Sequence, residues 1–353
     1  MRKIYLCLLT SIIFSSSIYA NKNVQWHLAM DWKTTHTSIA STSFRVAQLV
    51  KEMSNERFII KIDGREKHNS ESSILHLVQK NSYQMGHTNS QQYKNLDINA
   101  IWFTSTPLGM TTKEPNVWFY YGNGQKFMNK VYDKFDVLSF PGGDLGPLNG
   151  GWFNKKITSI EDFKNLKITG DGIENELLMM HGVIVKKIPL NQIKDRFIKG
   201  DLNVINGTSP SIDIKMGYHK IAPYYYTSWD RPASQTQFIV NKKEFEKLSK
   251  SYQSILQTAI KMASFELYYE NFYANSKGWA KILHHYPNIK VNKFPASVIR
   301  ELRKTKKIVF EQYSKENKLF HEIYQDQKKF LKNIRKWSTL EEYQYLKTLE
   351  EIN

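Results

Sequence analysis

Residues 141–151 read Pro-Gly-Gly-Asp-Leu-Gly-Pro-Leu-Asn-Gly-Gly, and this stretch decides how the rest of the chain is interpreted. Glycine and proline at this density favour a loop that changes direction. A chain that crosses from one lobe to another needs such a loop. A long turn on the surface of a single domain is the alternative.

On both sides of this stretch, strand-like runs alternate with amphipathic helical ones. Before it, Val24–Met30 reads as a strand, 41–53 as a helix and 57–62 as a strand. A helix follows that buries Ile74, Leu75, Leu77 and Val78. After it, a helix opens at 160, a short strand covers 166–168, and a helix covers 173–181. The alternation predicts an α/β fold with largely parallel sheets, built as two units.

The last part of the chain carries a different pattern. Apolar residues recur at intervals of 7, 4, 7, 4 and 7 at Leu302, Val309, Tyr313, Phe320, Tyr324 and Leu331. This spacing predicts one apolar stripe along a helical segment. The stripe packs either on the body of its own chain or on a second copy.

The first twenty residues are typical of a secretory signal peptide. Arg2 and Lys3 precede an apolar run from 4 to 14, and small residues lead to Ala20, after which cleavage is expected. An uncleaved anchor is the alternative, but the run is about half of the ~20 residues that span a bilayer. The only cysteine, Cys7, lies inside this segment, so the mature chain has no thiol chemistry. We therefore expect a periplasmic protein without disulfides.

The charge and the absent motifs limit the function. The whole chain has a formal net charge of +17 at pH 7, and removal of Arg2 and Lys3 with the signal peptide leaves a net charge of +15. This balance suggests anionic partners or plain solubility. The lysines are dispersed among acids and the protein is exported, so we expect no nucleic-acid binding. There is no GxxxxGK loop, GxSxG elbow or HExxH helix, and His284-His285 is a poor chelate. An enzyme is not expected.

Several strings resemble the extracytoplasmic solute-binding subunit of TRAP transporters, most closely the branch that binds α-keto acids. In order along the chain, they are Met85-Gly86-His87-Thr88, Pro107-Leu108-Gly109-Met110-Thr111, Trp118-Phe119-Tyr120-Tyr121-Gly122, Gly150-Gly151-Trp152-Phe153, Leu166-Lys167, Pro223-Tyr224-Tyr225-Tyr226, Asn241-Lys242-Lys243 and Trp337. They cover nearly the whole mature chain.

The resemblance implies a two-lobed periplasmic binding protein fold with a hinge and long C-terminal helices. The expected divisions are a signal peptide at 1–20, lobe I at 21–143 completed by about 231–272, lobe II at 144–230 completed by about 273–296, and a C-terminal helical segment at 297–353. In the α-keto acid branch a C-terminal helix joins two subunits. The stripe from Leu302 to Leu331 would be that helix, which makes a homodimer a candidate assembly.

The ligand positions that the resemblance implies are altered in this chain. In the family, an arginine after the leucine-lysine strand clamps the solute carboxylate, and that position falls on Thr169. In the α-keto acid branch a glutamine and a glutamate-tryptophan pair help hold a metal ion and the solute. Those positions fall on Leu148, Asn206 and Gly207, which cannot supply the same groups. We therefore expect no cofactor, and metal-assisted keto-acid binding is placed in doubt.

Arg231 is the candidate replacement for the lost arginine. It stands in Trp229-Asp230-Arg231-Pro232, where the family usually has an acid before the proline, in a loop that borders the cleft. Our hypothesis is that Arg231 binds an anionic solute in a different pose. Alternatively, Arg231 pairs with Asp230 or another acid on the rim.

Other polar and aromatic residues are candidates for the solute site. His87, next to Thr88, could hydrogen-bond the solute or could be a structural histidine at a strand end. Trp32, Tyr93 and Trp229 could form walls of the pocket or belong to the core.

The expected function is capture of a small organic anion between the lobes and its delivery to a TRAP permease in the membrane. The alternative is a diverged member that has lost transport ligand binding and acts as a partner-binding or sensory protein at the envelope. The altered ligand positions are compatible with both.

Overall fold

The structure is a computed structural model that describes residues 23–35, 37–68, 73–170 and 172–352. The predicted signal peptide at 1–20 lies outside these residues. No helix in the described ranges is long and apolar enough to cross a membrane.

Eleven strands and thirteen α-helices make up the described part of the chain. The strands are β1 (Val24–Met30), β2 (Phe58–Asp63), β3 (Met85–Thr88), β4 (Val137–Asp144), β5 (Gly151–Phe153), β6 (Lys167–Thr169), β7 (Ile184–Lys186), β8 (Val204–Ile205), β9 (Tyr224–Tyr226), β10 (Gln235–Asn241) and β11 (Lys290–Asn292). The helices are α1 (Thr37–Met53), α2 (Arg65–His68), α3 (Ile74–Gln79), α4 (Lys113–Tyr121), α5 (Gly124–Tyr132), α6 (Ile173–Met179), α7 (Ile193–Ile198), α8 (Pro210–Met216), α9 (Lys242–Lys247), α10 (Lys250–His285), α11 (Ala296–Glu316), α12 (Lys318–Ser338) and α13 (Gln344–Ile352).

The strands form two main sheets, which confirms the α/β fold class. The first sheet has the order β2-β1-β3-β10-β4, and the second has the order β11-β9-β5-β8. β6 and β7 form a separate parallel pair. The sheets are mixed rather than largely parallel, because β10 runs antiparallel to both of its neighbours and β5 runs antiparallel to β8 and β9.

Successive side chains of β1 point to opposite faces of the first sheet, and both faces are covered by a hydrophobic core. Leu28 and Met30 point to one face, where they pack with Val46 of α1 and with residues of α10. Ala29 points to the other face, which is covered by α3, the segment around Trp102, and the C-terminal helices. A strand buried on both faces needs apolar residues at successive positions, as β1 has at Leu28-Ala29-Met30.

Three segments connect the two sheets. They are the stretch between β4 and β5, the stretch between β9 and β10, and α10 itself. α10 has 36 residues, a length of about 54 Å. Ala259, in its first half, packs with α1 in the core of the first sheet, and Ile282, near its end, is buried with Trp152 of the second sheet.

The glycine-rich stretch is only in part a loop. β4 continues to Asp144 and β5 begins at Gly151, so the prediction of a loop over 141–151 is wrong for the first four residues and the last one. A Cβ on Gly142 would lie 2.8 Å from the Gln237 amide nitrogen, so glycine is needed for this close strand pairing. The change of direction follows between Leu145 and Gly150, where Gly146 has a φ of +84°.

The C-terminal stripe lies on two helices rather than one. Asn317 has φ −137° and ψ 108°, which ends α11, and its side chain caps α12 by accepting from the Phe320 amide at 2.9 Å. The chain bends there, so Phe310 and Phe320 meet at a ring distance of 5.6 Å. Phe320 also packs on Trp102 at 4.8 Å. The stripe therefore packs on the body of its own chain.

Candidate functional site

The carboxyl ends of β1 and β3 meet at one edge of the first sheet and place polar groups there. The Thr88 hydroxyl donates to the Asp31 carboxylate and bonds to the Tyr93 hydroxyl at 2.9 Å. The Leu75 amide donates to the same Tyr93 hydroxyl at 3.2 Å. Burial raises the pKa of the Asp31 carboxyl, and the hydrogen bond from Thr88 opposes this shift. Thr88 and Tyr93 thus form an internal network with Asp31.

His87 is fully buried, and both of its ring nitrogens bond to protein groups. Nδ1 lies 2.8 Å from the Ser43 hydroxyl, and Nε2 lies 2.9 Å from the Thr236 hydroxyl. The ring stacks on Phe238 at 4.0 Å and makes a T-shaped contact with the half-buried Trp32 at 4.6 Å. This geometry favours the structural interpretation of His87.

We expect His87 to make the protein less stable in acid. Burial lowers its pKa from 6.5 to about 3 in the folded protein. Between these values the unfolded chain binds more protons, so the free energy of unfolding falls as the pH drops from about 6.5 to about 3. His87→Gln should reduce this slope, as measured by urea unfolding at a series of pH values. Equal slopes for the two proteins would contradict the assignment.

The second part of the site lies where β6 ends and α6 begins. Thr169 is the last residue of β6, and the side chains of Glu174 and Asn175 are nearly fully buried in the first turns of α6. The Asn175 amide has no hydrogen-bond partner on either atom among the described residues. A Cβ on Gly170 would lie 3.0 Å from the Asn175 Nδ2. An amide with unmet hydrogen-bonding capacity therefore lies next to Thr169.

Arg231 lies between two buried acids. Its Nε is 3.5 Å from Asp230 Oδ2, and its Nη2 is 3.8 Å from Glu174 Oε1. Both acids are 2% exposed, while the Arg231 side chain is 21% exposed. Burial raises the pKa of the Asp230 carboxyl, and the guanidinium opposes this shift. The structure thus brings Arg231 to Asp230, as the alternative interpretation expects, but the acids are buried rather than on a rim.

Two of the altered ligand positions, Leu148 and Gly207, lie next to Arg231. The Leu148 amide donates to the Arg231 carbonyl at 3.1 Å. Gly207 has a φ of +72°, and a Cβ there would lie 2.1 Å from Arg231 Nη2. Asn206, next in sequence, lines a cavity of about 20 Å³ with Trp229 and Asp230. This cavity has room for about one water and not for a solute.

We expect Gly207→Ala to destabilise the protein more than Gly200→Ala. Both glycines have positive φ values, +72° and +77°, but a Cβ on Gly200 meets nothing within 4 Å. Gly200→Ala should therefore cost only the backbone strain, about 1–2 kcal/mol. Gly207→Ala should cost about 1–3 kcal/mol more, because the Arg231 guanidinium has to move away from the buried carboxylates of Glu174 and Asp230. Chemical unfolding measures both values.

A double-mutant cycle tests the cause of this difference. In an Arg231→Ala background, Gly207→Ala should cost no more than Gly200→Ala, because the clash is gone. An unchanged difference would mean that Arg231 does not occupy the space beside Gly207.

Three contacts join the first sheet's elements and the helix α11 to this region. The Leu108 amide donates to the Trp229 carbonyl at 2.8 Å. Lys94 Nζ lies 3.8 Å from Glu176 of α6, and the Tyr313 hydroxyl donates to the same carboxylate at 2.8 Å. The site therefore lies where the two sheets' elements meet.

The side chains at the altered ligand positions offer few donors for a metal ion. Among the described residues no group of three or more His, Cys, Asp or Glu side chains is placed to hold a metal. Leu148 offers no donor, Gly207 has no side chain, and Asn206 offers one uncharged oxygen. These residues do not fit a metal site at the positions that the resemblance indicates.

Five of the residues predicted from the sequence lie together in the structure, and a sixth, Thr169, ends β6. The five are Leu148, Asn206, Gly207, Trp229 and Arg231. Glu174 and Asn175 were not predicted. One signal was available: Glu174 follows Thr169 by only five residues and opens a helix directly after the strand. His87, Thr88 and Tyr93 lie instead at the edge of the first sheet.

Comparisons with known proteins agree with this fold. The profile of bacterial extracellular solute-binding protein family 7 matches residues 28–351. The monocarboxylate 2-oxoacid-binding periplasmic protein of Nostoc sp. (strain PCC 7120) is 29% identical over 334 residues, which are 94% of this chain and 91% of that protein.

Two crystal structures of TRAP periplasmic solute-binding proteins are similar throughout. The protein from Colwellia psychrerythraea, with bound calcium and pyruvate, is 36% identical with a TM-score of 0.89, over 93% of this chain and 100% of the other. The protein from Pseudoalteromonas atlantica T6c, with bound sodium and pyruvate, is 36% identical with a TM-score of 0.86, over 92% and 99%.

Proposed function

We propose that this chain captures a small organic anion and delivers it to a TRAP permease, because it belongs to family 7 of the bacterial extracellular solute-binding proteins. The chain is a TRAP-type solute-binding protein, similar to two that hold pyruvate. The family serves transport rather than catalysis. The similarity of this chain to proteins with bound pyruvate supports transport over a purely partner-binding role.

The observation that carries the proposal is Arg231 beside Gly207, where the elements of the two sheets meet. A guanidinium presents paired donors that match a carboxylate. Leu148, whose amide donates to the Arg231 carbonyl, and Trp229, two residues before Arg231, are buried apolar residues of the kind that solute sites usually have. The anion would bind to Arg231, with the Asn175 amide as a further donor close to Thr169.

Closure of two lobes on the solute is part of the proposal. The three connections between the sheets support lobe boundaries near residues 143, 231 and 272. They also support a hinge in the stretch from Leu145 to Gly150. The contact between Leu108 and Trp229 would form on closure.

The family and the curated relative are periplasmic. The finer proposal is export through a signal peptide cleaved after Ala20. The intact mass of protein purified from the periplasm measures this directly.

We also propose that two copies associate through the end of the chain. The stripe at 302–331 packs internally, but five large apolar residues beyond it are 56–69% exposed: Trp337, Leu340, Tyr343, Tyr345 and Leu346. An apolar surface of this kind is typical of an interface. Sedimentation should show a dimer for the wild type and a monomer for Leu340→Glu/Tyr343→Glu.

The experiment that tests solute capture is thermal unfolding of the periplasmic protein against small carboxylates and neutral metabolites. At a hundredfold excess over Kd, a ligand adds about 2.7 kcal/mol to the folded state and raises the midpoint by a few degrees. A shift with 2-oxoacids or related anions supports the proposal. A shift with neutral solutes alone, or none across the panel, contradicts it.

A further inference from the structure

We propose that the Arg231 guanidinium takes the place of the metal ion that similar proteins bind with their solute, so that this protein binds its solute without metal. The part of the proposal that concerns the solute rests on the proposed function. The part that concerns the metal stands on the geometry around Arg231.

The Arg231 guanidinium fills the space beside Gly207. The tryptophan position of the α-keto acid branch falls on Gly207, where even a Cβ would lie 2.1 Å from Nη2, 2.6 Å from Cζ and 2.9 Å from Nη1 of Arg231. All three atoms belong to the guanidinium. A tryptophan at 207 and the guanidinium at its present position therefore exclude each other. In this chain the guanidinium thus occupies the space in which a side chain at position 207 would begin.

The Arg231 guanidinium also supplies positive charge next to two buried carboxylates. Glu174 and Asp230 are each 2% exposed and lie 3.8 and 3.5 Å from the guanidinium. Two buried carboxylates need a positive charge close by. A bound cation would normally supply it, but here it is attached covalently to the chain.

The side chains at positions 148 and 206 lack the oxygen ligands and the charge that a metal ion needs. A calcium ion takes six to eight oxygen ligands, often from carboxylates and amides. The glutamine position holds Leu148, which has no oxygen in its side chain, and the glutamate position holds Asn206, which has no charge. The site has thus lost the groups that bind a cation from solution, at the positions that contact or flank Arg231.

The exchange would leave anion binding possible. A bound metal attracts a carboxylate by its charge, and a guanidinium attracts it by charge and by paired hydrogen bonds. We therefore expect the affinity for the solute to be the same in calcium, in sodium and in chelator.

The test uses three proteins purified from the periplasm: the wild type, Leu148→Gln/Asn206→Glu, and the same pair with Arg231→Ala. Calcium chloride, sodium chloride and EDTA, at matched ionic strength, are compared by thermal unfolding. We expect no specific calcium or sodium effect on the wild type or the double variant, because the guanidinium remains in place. The triple variant should gain a calcium-dependent rise of a few degrees.

Stabilisation of the wild type by calcium or sodium beyond the ionic-strength control would overturn the proposal. So would an equal calcium effect on the double and triple variants. If the triple variant does not fold, as judged by circular dichroism, the wild type and the double variant still decide the question. If no solute binds in any condition, the proposed function fails. The comparison of calcium, sodium and EDTA on the three proteins still tests whether Arg231 takes the place of a metal ion.

Discussion

Arg231→Gln is expected to weaken solute binding by about thirtyfold to several thousandfold, corresponding to about 2–5 kcal/mol. The change removes the cation that lies beside Gly207, one of the altered ligand positions. It also leaves Glu174 and Asp230 beside the solute without their guanidinium, so that the carboxylates repel an anion. Titration calorimetry with the anion that raises the unfolding midpoint measures the loss.

Two further variants isolate the cause. Arg231→Lys keeps the charge but loses the paired donors, so its affinity should fall between those of the wild type and Arg231→Gln. Arg196→Gln is the matched control, because Arg196 is half-exposed in the same half of the chain and pairs with Asp201 at 2.9 Å. The control should bind like the wild type. Wild-type affinity in Arg231→Gln would refute the role of Arg231.

Phe320→Ala should destabilise the protein by about 3–5 kcal/mol, the usual cost of removing a buried phenylalanine side chain. Phe320 is fully buried, with ring distances of 4.8 Å to Trp102, 5.4 Å to Tyr313 and 5.6 Å to Phe310. Its ring thus joins α12 to α11 and to the core of the first sheet. Urea unfolding monitored by circular dichroism gives the free energy.

Trp337→Ala is the control for this prediction. Trp337 lies near the end of α12 and is 61% exposed, so its loss should change the stability by less than about 0.5 kcal/mol at a concentration where the protein is monomeric. The reverse pattern, a neutral Phe320→Ala and a costly Trp337→Ala, would mean that the stripe does not pack as described.

The local sequence pattern predicted the helices and strands whose apolar periodicity extends over many residues or whose residues are strongly apolar. The strand at Val24–Met30 was predicted with its observed bounds, and the helix predicted at 41–53 forms most of α1. The end of the C-terminal stripe helix was not predicted, because the 7-4-7 spacing continues unbroken across Asn317. Nothing in apolar periodicity distinguishes one long helix from two helices joined at a polar cap.

The site was harder to predict than the fold, because its parts come from distant segments. Arg231 and Glu174 are 57 positions apart, and their contact depends on how the turn after β9 faces α6. The sequence could identify Arg231 only through the resemblance and the loss of the arginine at Thr169. It gave no sign that Gly207 leaves space for the guanidinium, because that fact lies in the packing.

The position of the solute carboxylate in a crystal structure of the liganded protein tests the central claim most directly. We expect paired hydrogen bonds of about 2.7–2.9 Å from the Arg231 guanidinium to the carboxylate, with no metal ion between them. A carboxylate bound elsewhere, for example to Lys94, with Arg231 still beside Glu174 and Asp230 and making no contact with the solute, would contradict the role of Arg231.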